Sequence, residues 1–318
     1  MSRLMTLGAT GLGTLALSMW YLKGRRSAKN AAFVLVPPRA NNAQVRNLVA
    51  EALRGDGMRI VGEGEIPIAN VSKGLLFEKH HIAVASKAAL TKPSQLELSS
   101  SEKTRFRDSF GMSWDQAVGM GLVFNAVEAC AELACTADEL EAAWLECRTN
   151  GKFARLADSF ECGYVQVEGT DADLRRRRPV FVINGFFAKV RHDFIAAGSG
   201  VHYYQVDLDE SKVSWASFHD QIAGLGDLHL HASASPFQAL ATRMNWLGTR
   251  CQDDSYCQTL LQAGVKESTI HLLFGDPEVQ FRGGGRGRVF EAFKGLGAKP
   301  SVEYAVTLQE GMVSAGNH

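Results

Sequence analysis

No charged residue occurs between Leu4 and Leu22, and Lys23, Arg25, Arg26 and Lys29 follow at once. As a helix at 1.5 Å per residue, this stretch reaches roughly 28 Å, about the thickness of a bilayer's hydrocarbon core. Trp20 and Tyr21 stand at its end, where amphipathic rings favour the interface. A secretory signal is shorter and ends in a small-residue cleavage site, and a mitochondrial presequence is amphipathic and Arg-rich. The reading is therefore a retained single-pass anchor over residues 4–22, in contact with lipid. The positive flank on its C-terminal side predicts that the bulk of the chain lies on the cytoplasm-equivalent side, which is the matrix for a mitochondrial inner membrane. Gly8, Gly11 and Gly13 with Ala9 and Ala16 give a small-residue surface on which other membrane helices pack closely.

The other residues read as a globular protein. The chain has 318 residues, 46% of them hydrophobic, and 34 basic residues balance 34 acidic ones. A zero net charge gives no overall electrostatic reason to expect nucleic acid as a partner. The basic run Arg175–Arg178 and the group Arg282, Arg286 and Arg288 read as solvated loops. Six cysteines are present, without CxxC spacing and without histidines at zinc-finger distance, so no metal site is expected. Cys251 and Cys257 are close enough to pair in an oxidising compartment, but reduced, buried thiols are the expected state.

Local patterns sketch the elements. Phe33–Val36 is an apolar strand closed by Pro37 and Pro38. Residues 42–54 carry Val45, Leu48, Val49 and Ala52 at helical spacing behind Asn41 or Asn42 as cap, with Gly55 and Gly57 ending the helix. Met58–Ile68 is strand-like and Val71–His81 helical. Residues 95–160 are rich in Ala and Glu, with Thr136 and Glu139 spaced as a capping box, and read as helices. Residues 179–187 are an apolar run with a turn. A helix at Lys189–Ala196, a strand at Val201–Leu208 and a helix at 214–223 follow. Ser235–Trp246 is a helix with Ser235 as cap and Pro236 in the first turn. The tail from residue 248, with Gly-Gly-Gly-Arg-Gly at 283–287, reads as extended and shaped by a partner.

Three stretches together resemble the nucleoside diphosphate kinase family. They are Phe33–Val61, then Val180–Leu208 with Ser214–Gly226, and then the run from Leu230 through His231-Ala232-Ser233-Ala234-Ser235 to Trp246. Further segments, Ile82–Ala88, Tyr203-Tyr204 and Ser214-Trp215, are similar to a divergent protist and algal branch of that family. The resemblance covers roughly half the chain. It implies an α+β fold built on a four-stranded antiparallel sheet of ferredoxin-like type. The expected layout is an anchor and basic linker at 1–30 and the kinase-like domain in two parts, 31–94 and 179–247. A helical insertion at 95–178 separates those parts, and a C-terminal extension occupies 248–318.

Phosphoryl transfer through a histidine needs cations on the transferred group as well as the nucleophile. By the resemblance, His231 holds the nucleophile's position and Ser233 that of its supporting serine. The family's phosphate-binding lysine is Pro37, with Arg39 nearby, and a phosphate-binding arginine is Asp220. The threonine of the following turn is Gly226, and the glutamate beneath the histidine is Thr242. Only Asp227–Leu230 separate that turn from His231, so the family's last edge strand is expected to be missing, leaving an open sheet edge. Each charged phosphate contact is worth on the order of 2–4 kcal/mol in the transition state. Losing two or three leaves His231 as a helix-capping or core histidine. Gly62-Glu63-Gly64 is a poor phosphate cradle, and the pairs His80-His81 and His229-His231 lack further ligands. No catalytic, cofactor-binding or metal-binding residue is expected. The functional expectation is a non-catalytic accessory subunit of a membrane protein complex of the mitochondrial respiratory chain or ATP synthase, with a plastid or other organelle membrane as the alternative location. Its partners would be other subunits and lipid, with neither nucleic acid nor nucleotide. The alternative is a membrane-tethered nucleotide-binding protein or a residual nucleoside diphosphate kinase.

Overall fold

The computed structural model describes residues 31–167, 178–281 and 284–315. In chain order its strands are β1 (Ala31–Val36), β2 (Met58–Ile66), β3 (Val123–Asn125), β4 (Phe153–Ala157), β5 (Phe160–Val165), β6 (Val180–Ile183), β7 (Val201–Leu208), β8 (His231–Ala232), β9 (Glu278–Gln280) and β10 (Arg286–Arg288). Six consecutive apolar residues make β1 a strand buried on both faces. Phe33 and Leu35 point into one apolar cluster, and Ala32, Val34 and Val36 into another.

β1 lies inside a sheet of order β2-β7-β1-β8 in which every pair is antiparallel. Two strand–helix–strand units interleave to give it. The first is β1, helix Ala43–Ala52 and β2; the second is β7, helix Trp215–Ala223 and β8. Both helices cover the same face, where Val49, Leu53, Trp215, Phe218 and Ile222 pack on Val34 and Val206. The first helix starts where Asn42 accepts a hydrogen bond from the Val45 amide at 3.0 Å. The other face carries the helices Ile68–Gly74, Leu76–His80, Ala126–Glu132, Ala137–Thr149 and Phe186–Ala196.

Residues 95–178 do not form a purely helical insertion. β3, β4 and β5 join β6 in a second sheet of order β3-β6-β5-β4, in which only β3 runs parallel to its neighbour. β6, expected among the kinase-like elements, therefore pairs outside the first sheet. Burial of Phe160, Cys162 and Val165 and contacts from Phe106 and Trp114 hold this sheet together. The tail is not extended. Helices Ser255–Gln262, Glu267–Phe274, Val289–Phe293 and Ala298–Ala315, with the β9–β10 hairpin, enclose a cluster containing Leu260, Ile270, Leu273, Phe293 and Tyr304. Its apolar residues are spread over four helices, three of them of eight residues or fewer, so each segment carries only part of the pattern. Cys251 and Cys257 are joined in a disulfide with Cα atoms 5.2 Å apart, against the expectation of reduced thiols.

No helix among the described residues is long and apolar enough to cross a membrane. The expected fold class with a transmembrane helix, and the single-pass placement in the mitochondrial inner membrane, are overturned on that finding. The stretch 4–22, on which both rested, lies outside the described residues, as do Arg175–Arg177 and Arg282.

Candidate functional site

His231 sits on β8, a strand of two residues that pairs with β1 at Leu35. The strand expected to be missing is thus present and contains the histidine itself. Ser233 does not support the imidazole. Its hydroxyl accepts from the Phe33 amide at 2.9 Å, and its own amide donates to the Phe33 carbonyl at 2.9 Å. The side chain thereby continues the ladder beyond the strand and locks the short edge to β1. The Gln238 side chain then accepts from the Ala234 amide at 2.7 Å, and Ser235 caps helix Pro236–Leu247 by accepting from the Gln238 amide at 3.2 Å. His231 is therefore not the cap of that helix.

The imidazole of His231 meets the ring of His80 edge-on, with centroids 4.3 Å apart. His80 in turn accepts a hydrogen bond at Nδ1 from the indole of Trp246 at 3.2 Å. His81 lies against His80 at 5.0 Å. Burial, then the neighbouring His81 and His219, push the His231 pKa down to about 3. His80 is held well below the usual range by burial and then by His231 and His81. His81 is lowered by burial, with Glu78 opposing. All three rings are neutral at pH 7. Nε2 of His231 is closed off from solvent and makes no hydrogen bond. Asn245 donates to the Leu76 carbonyl at 2.8 Å while its Oδ1 is buried and unmatched.

His80, His81, His231 and Asn245 line a cleft of about 510 Å³ between helices Leu76–His80 and Pro236–Leu247 and the tail. Met244, Phe274 and Phe290 supply apolar wall, and Lys79 and His271 complete the polar part. Among the described residues no arginine and no carboxylate lines it. Thr242 lines the cleft, but its hydroxyl donates to the Gln238 carbonyl at 2.8 Å, within its own helix. Pro37, Arg39, Asp220 and Gly226 do not line it. Pro37 is buried and opens a 3-10 turn, Arg39 is exposed, and Asp220 is an exposed residue of helix Trp215–Ala223. Gly64, in the poor cradle motif, leaves room for Tyr203, whose hydroxyl would lie 2.8 Å from an added Cβ. Among the described residues no three His, Cys, Asp or Glu side chains are grouped to hold a metal ion.

The structure thus brings His231 and Thr242 together and leaves the other kinase-like positions apart. It adds His80, which packs on His231, with His81 and Asn245 in the same cleft and Trp246 bonded to His80, an arrangement the sequence did not signal. The His80-His81 pair was visible, but nothing local placed it beside a residue so far along the chain. Neutral imidazoles in an apolar wall can exchange hydrogen bonds; without carboxylates they offer Mg²⁺ none of the hard oxygen ligands it prefers. No family model, curated protein or solved structure matches this chain.

Proposed function

We propose that the chain is a non-catalytic accessory subunit of a larger protein assembly, and that its kinase-like features are structural. One observation carries this reading: among the described residues the cleft around His231 presents a single permanently charged side chain, Lys79, and no carboxylate. Phosphoryl transfer relies on several cations, usually including Mg²⁺ held by oxygen ligands, to stabilise charge on the transferred group. A lone lysine supplies one part of that set. The packing of His231 against His80 and of Trp246 against His80 serves cohesion of the β8 edge.

The alternative, a nucleotide-binding protein or residual kinase, draws on the presence of His231 and Lys79 in one cleft. Two measurements separate the readings. Incubation of the full chain with γ-labelled ATP and Mg²⁺ is expected to leave His231 unlabelled. Native fractionation from the source cells is expected to recover the chain in fixed stoichiometry with other polypeptides. Acid-labile label on His231, absent from His231→Ala, would establish the alternative.

A further inference from the structure

Helix Ala126–Glu132 ends in a complete Schellman motif. The Ala134 amide donates to the Ala131 carbonyl at 3.3 Å, and the Cys135 amide donates to the Cys130 carbonyl at 3.0 Å. Ala134 takes the left-handed conformation the motif needs, with φ at 48°. This motif brings the side chains three positions before the end of the helix and two positions beyond it into contact. Here those two side chains are Cys130 and Cys135. The turn is fixed on its other side as well. Thr136 caps helix Ala137–Thr149 through a reciprocal capping box with Glu139, at 2.8 and 3.2 Å. Both ends of the loop are hydrogen-bonded, so the two sulfurs are held together by backbone geometry.

We propose that Cys130 and Cys135 form a redox-active dithiol that exchanges two electrons with small-molecule disulfides. The step is ordinary thiol–disulfide exchange. The Cys130 thiolate attacks one sulfur of the small disulfide, forming a mixed disulfide and releasing one thiolate. Cys135 loses its proton to solvent and attacks the Cys130 sulfur, releasing the second thiolate. The protein dithiol is oxidised to a disulfide, and the small disulfide is reduced to two thiols. The environment assigns Cys130 the attacking role. The Cys135 thiol donates a hydrogen bond to it, which lowers the Cys130 pKa against the opposing effect of burial. Both residues are partly exposed, whereas Cys147 and Cys162 are buried. Burial pushes the Cys147 thiol up to about 11 and the Cys162 thiol up as well. Those two are structural, and the 251–257 disulfide lies in a separate segment.

The test equilibrates the full chain in glutathione buffers of graded reduced-to-oxidised ratio, followed by acid quench, alkylation and mass mapping. The expected result is one transition in which two thiols disappear together and a Cys130–Cys135 link appears without a stable glutathione adduct. In Cys135→Ser a glutathione adduct accumulates on Cys130, because no thiol resolves it. In that variant Cys130 is alkylated at pH 7 at least about tenfold faster than Cys147 and Cys162. Unchanged thiol content across the whole range would overturn the proposal. So would a stable adduct on Cys130 in the unsubstituted chain, or alkylation of Cys130 no faster than that of the buried pair. The thiol count on the unsubstituted chain needs no variant to fold.

Discussion

Ala134 occupies a backbone conformation in which a Cβ crowds the following carbonyl, a cost of about 1–2 kcal/mol that glycine avoids. Glycine loses more entropy on folding and returns part of that gain. Ala134→Gly is expected to stabilise the protein by about 0.5–1 kcal/mol, read as a higher urea midpoint at unchanged slope. A second single-residue consequence concerns acid. His231 has its pKa pushed down to about 3, below the ordinary value near 6.5 that it regains on unfolding. Between those values the unfolded chain binds a proton that the folded chain refuses, so stability falls as pH drops from about 6.5 toward 3. Each such histidine contributes a slope of at most about 1.4 kcal/mol per pH unit. His80 and His81 are displaced the same way, with Lys79 adjacent and Glu78 the carboxylate facing His81. His231→Gln is expected to reduce the slope between pH 6 and 4.5 by up to one proton's worth. An unchanged slope in urea titrations across that range would mean that His231 protonates freely in the folded state.

Helix Pro236–Leu247 is the element on which the parts converge. Trp246 belongs to the core shared by the two sheets, Ala239 to the opposite face of the first sheet, and Phe237 and Leu240 to the tail cluster. Its Arg243 pairs with Asp254 at 2.8 Å, both side chains about 97–99% buried, and also donates to the Ala31 carbonyl at the start of β1. Asp254 accepts from the Tyr256 and Cys257 amides and so caps the next helix. Removing one partner leaves a charge without compensation in a dry interior, typically a loss of about 3–5 kcal/mol. Arg243→Met is expected to destabilise by that amount in chemical denaturation, and the double variant Arg243→Met, Asp254→Asn by clearly less. Equal losses in the two would show that the ion pair is not what Arg243 provides. This helix was legible beforehand because its signals are local: Ser235 as cap, Pro236 in the first turn and apolar residues on one side. The same holds for Asn42 and for Thr136 with Glu139, each of which bonds its own first turn. The strands at 153–165 were not legible, because Ala154, Leu156 and Ala157 suit a helix equally and their burial depends on Phe106 and Trp114. Likewise His231 drew notice for its place before Ser235, whereas its contact with His80 exists only once the helices pack.

For the molecule as a whole, the tail is a structural component. The Phe237 ring stacks on Phe293 at 4.3 Å, and Phe293 in turn contacts Tyr304 at 5.2 Å. Removing residues 276–318 would expose Phe237, Val265, Ile270 and Leu273 to water, at about 1.5–3 kcal/mol per large side chain. Such a truncated chain is expected to be insoluble or protease-sensitive throughout, whereas limited proteolysis of the whole chain leaves residues 255–281 intact. A soluble, cooperatively unfolding truncated protein would contradict this packing. The reading of a partner-shaped tail failed because burial here is collective. Apart from Ala298–Ala315, the helices from 255 to 315 have eight residues or fewer, and the core closes only when all of them pack with Phe237.

The hydrogen bond from the Phe33 amide to Ser233 spans 200 residues of chain. A ribosome adds about 5–20 residues per second, so β1 leaves the tunnel about 10–40 s before the residue that completes its edge does. β7, its other neighbour, arrives only slightly sooner. Throughout that interval six consecutive residues destined for full burial have no strand beside them, which is the pattern that invites pairing with other nascent chains. Synthesis of this protein therefore sets a demand on the cell's holding chaperones at β1, and slowing translation lengthens the exposure in direct proportion.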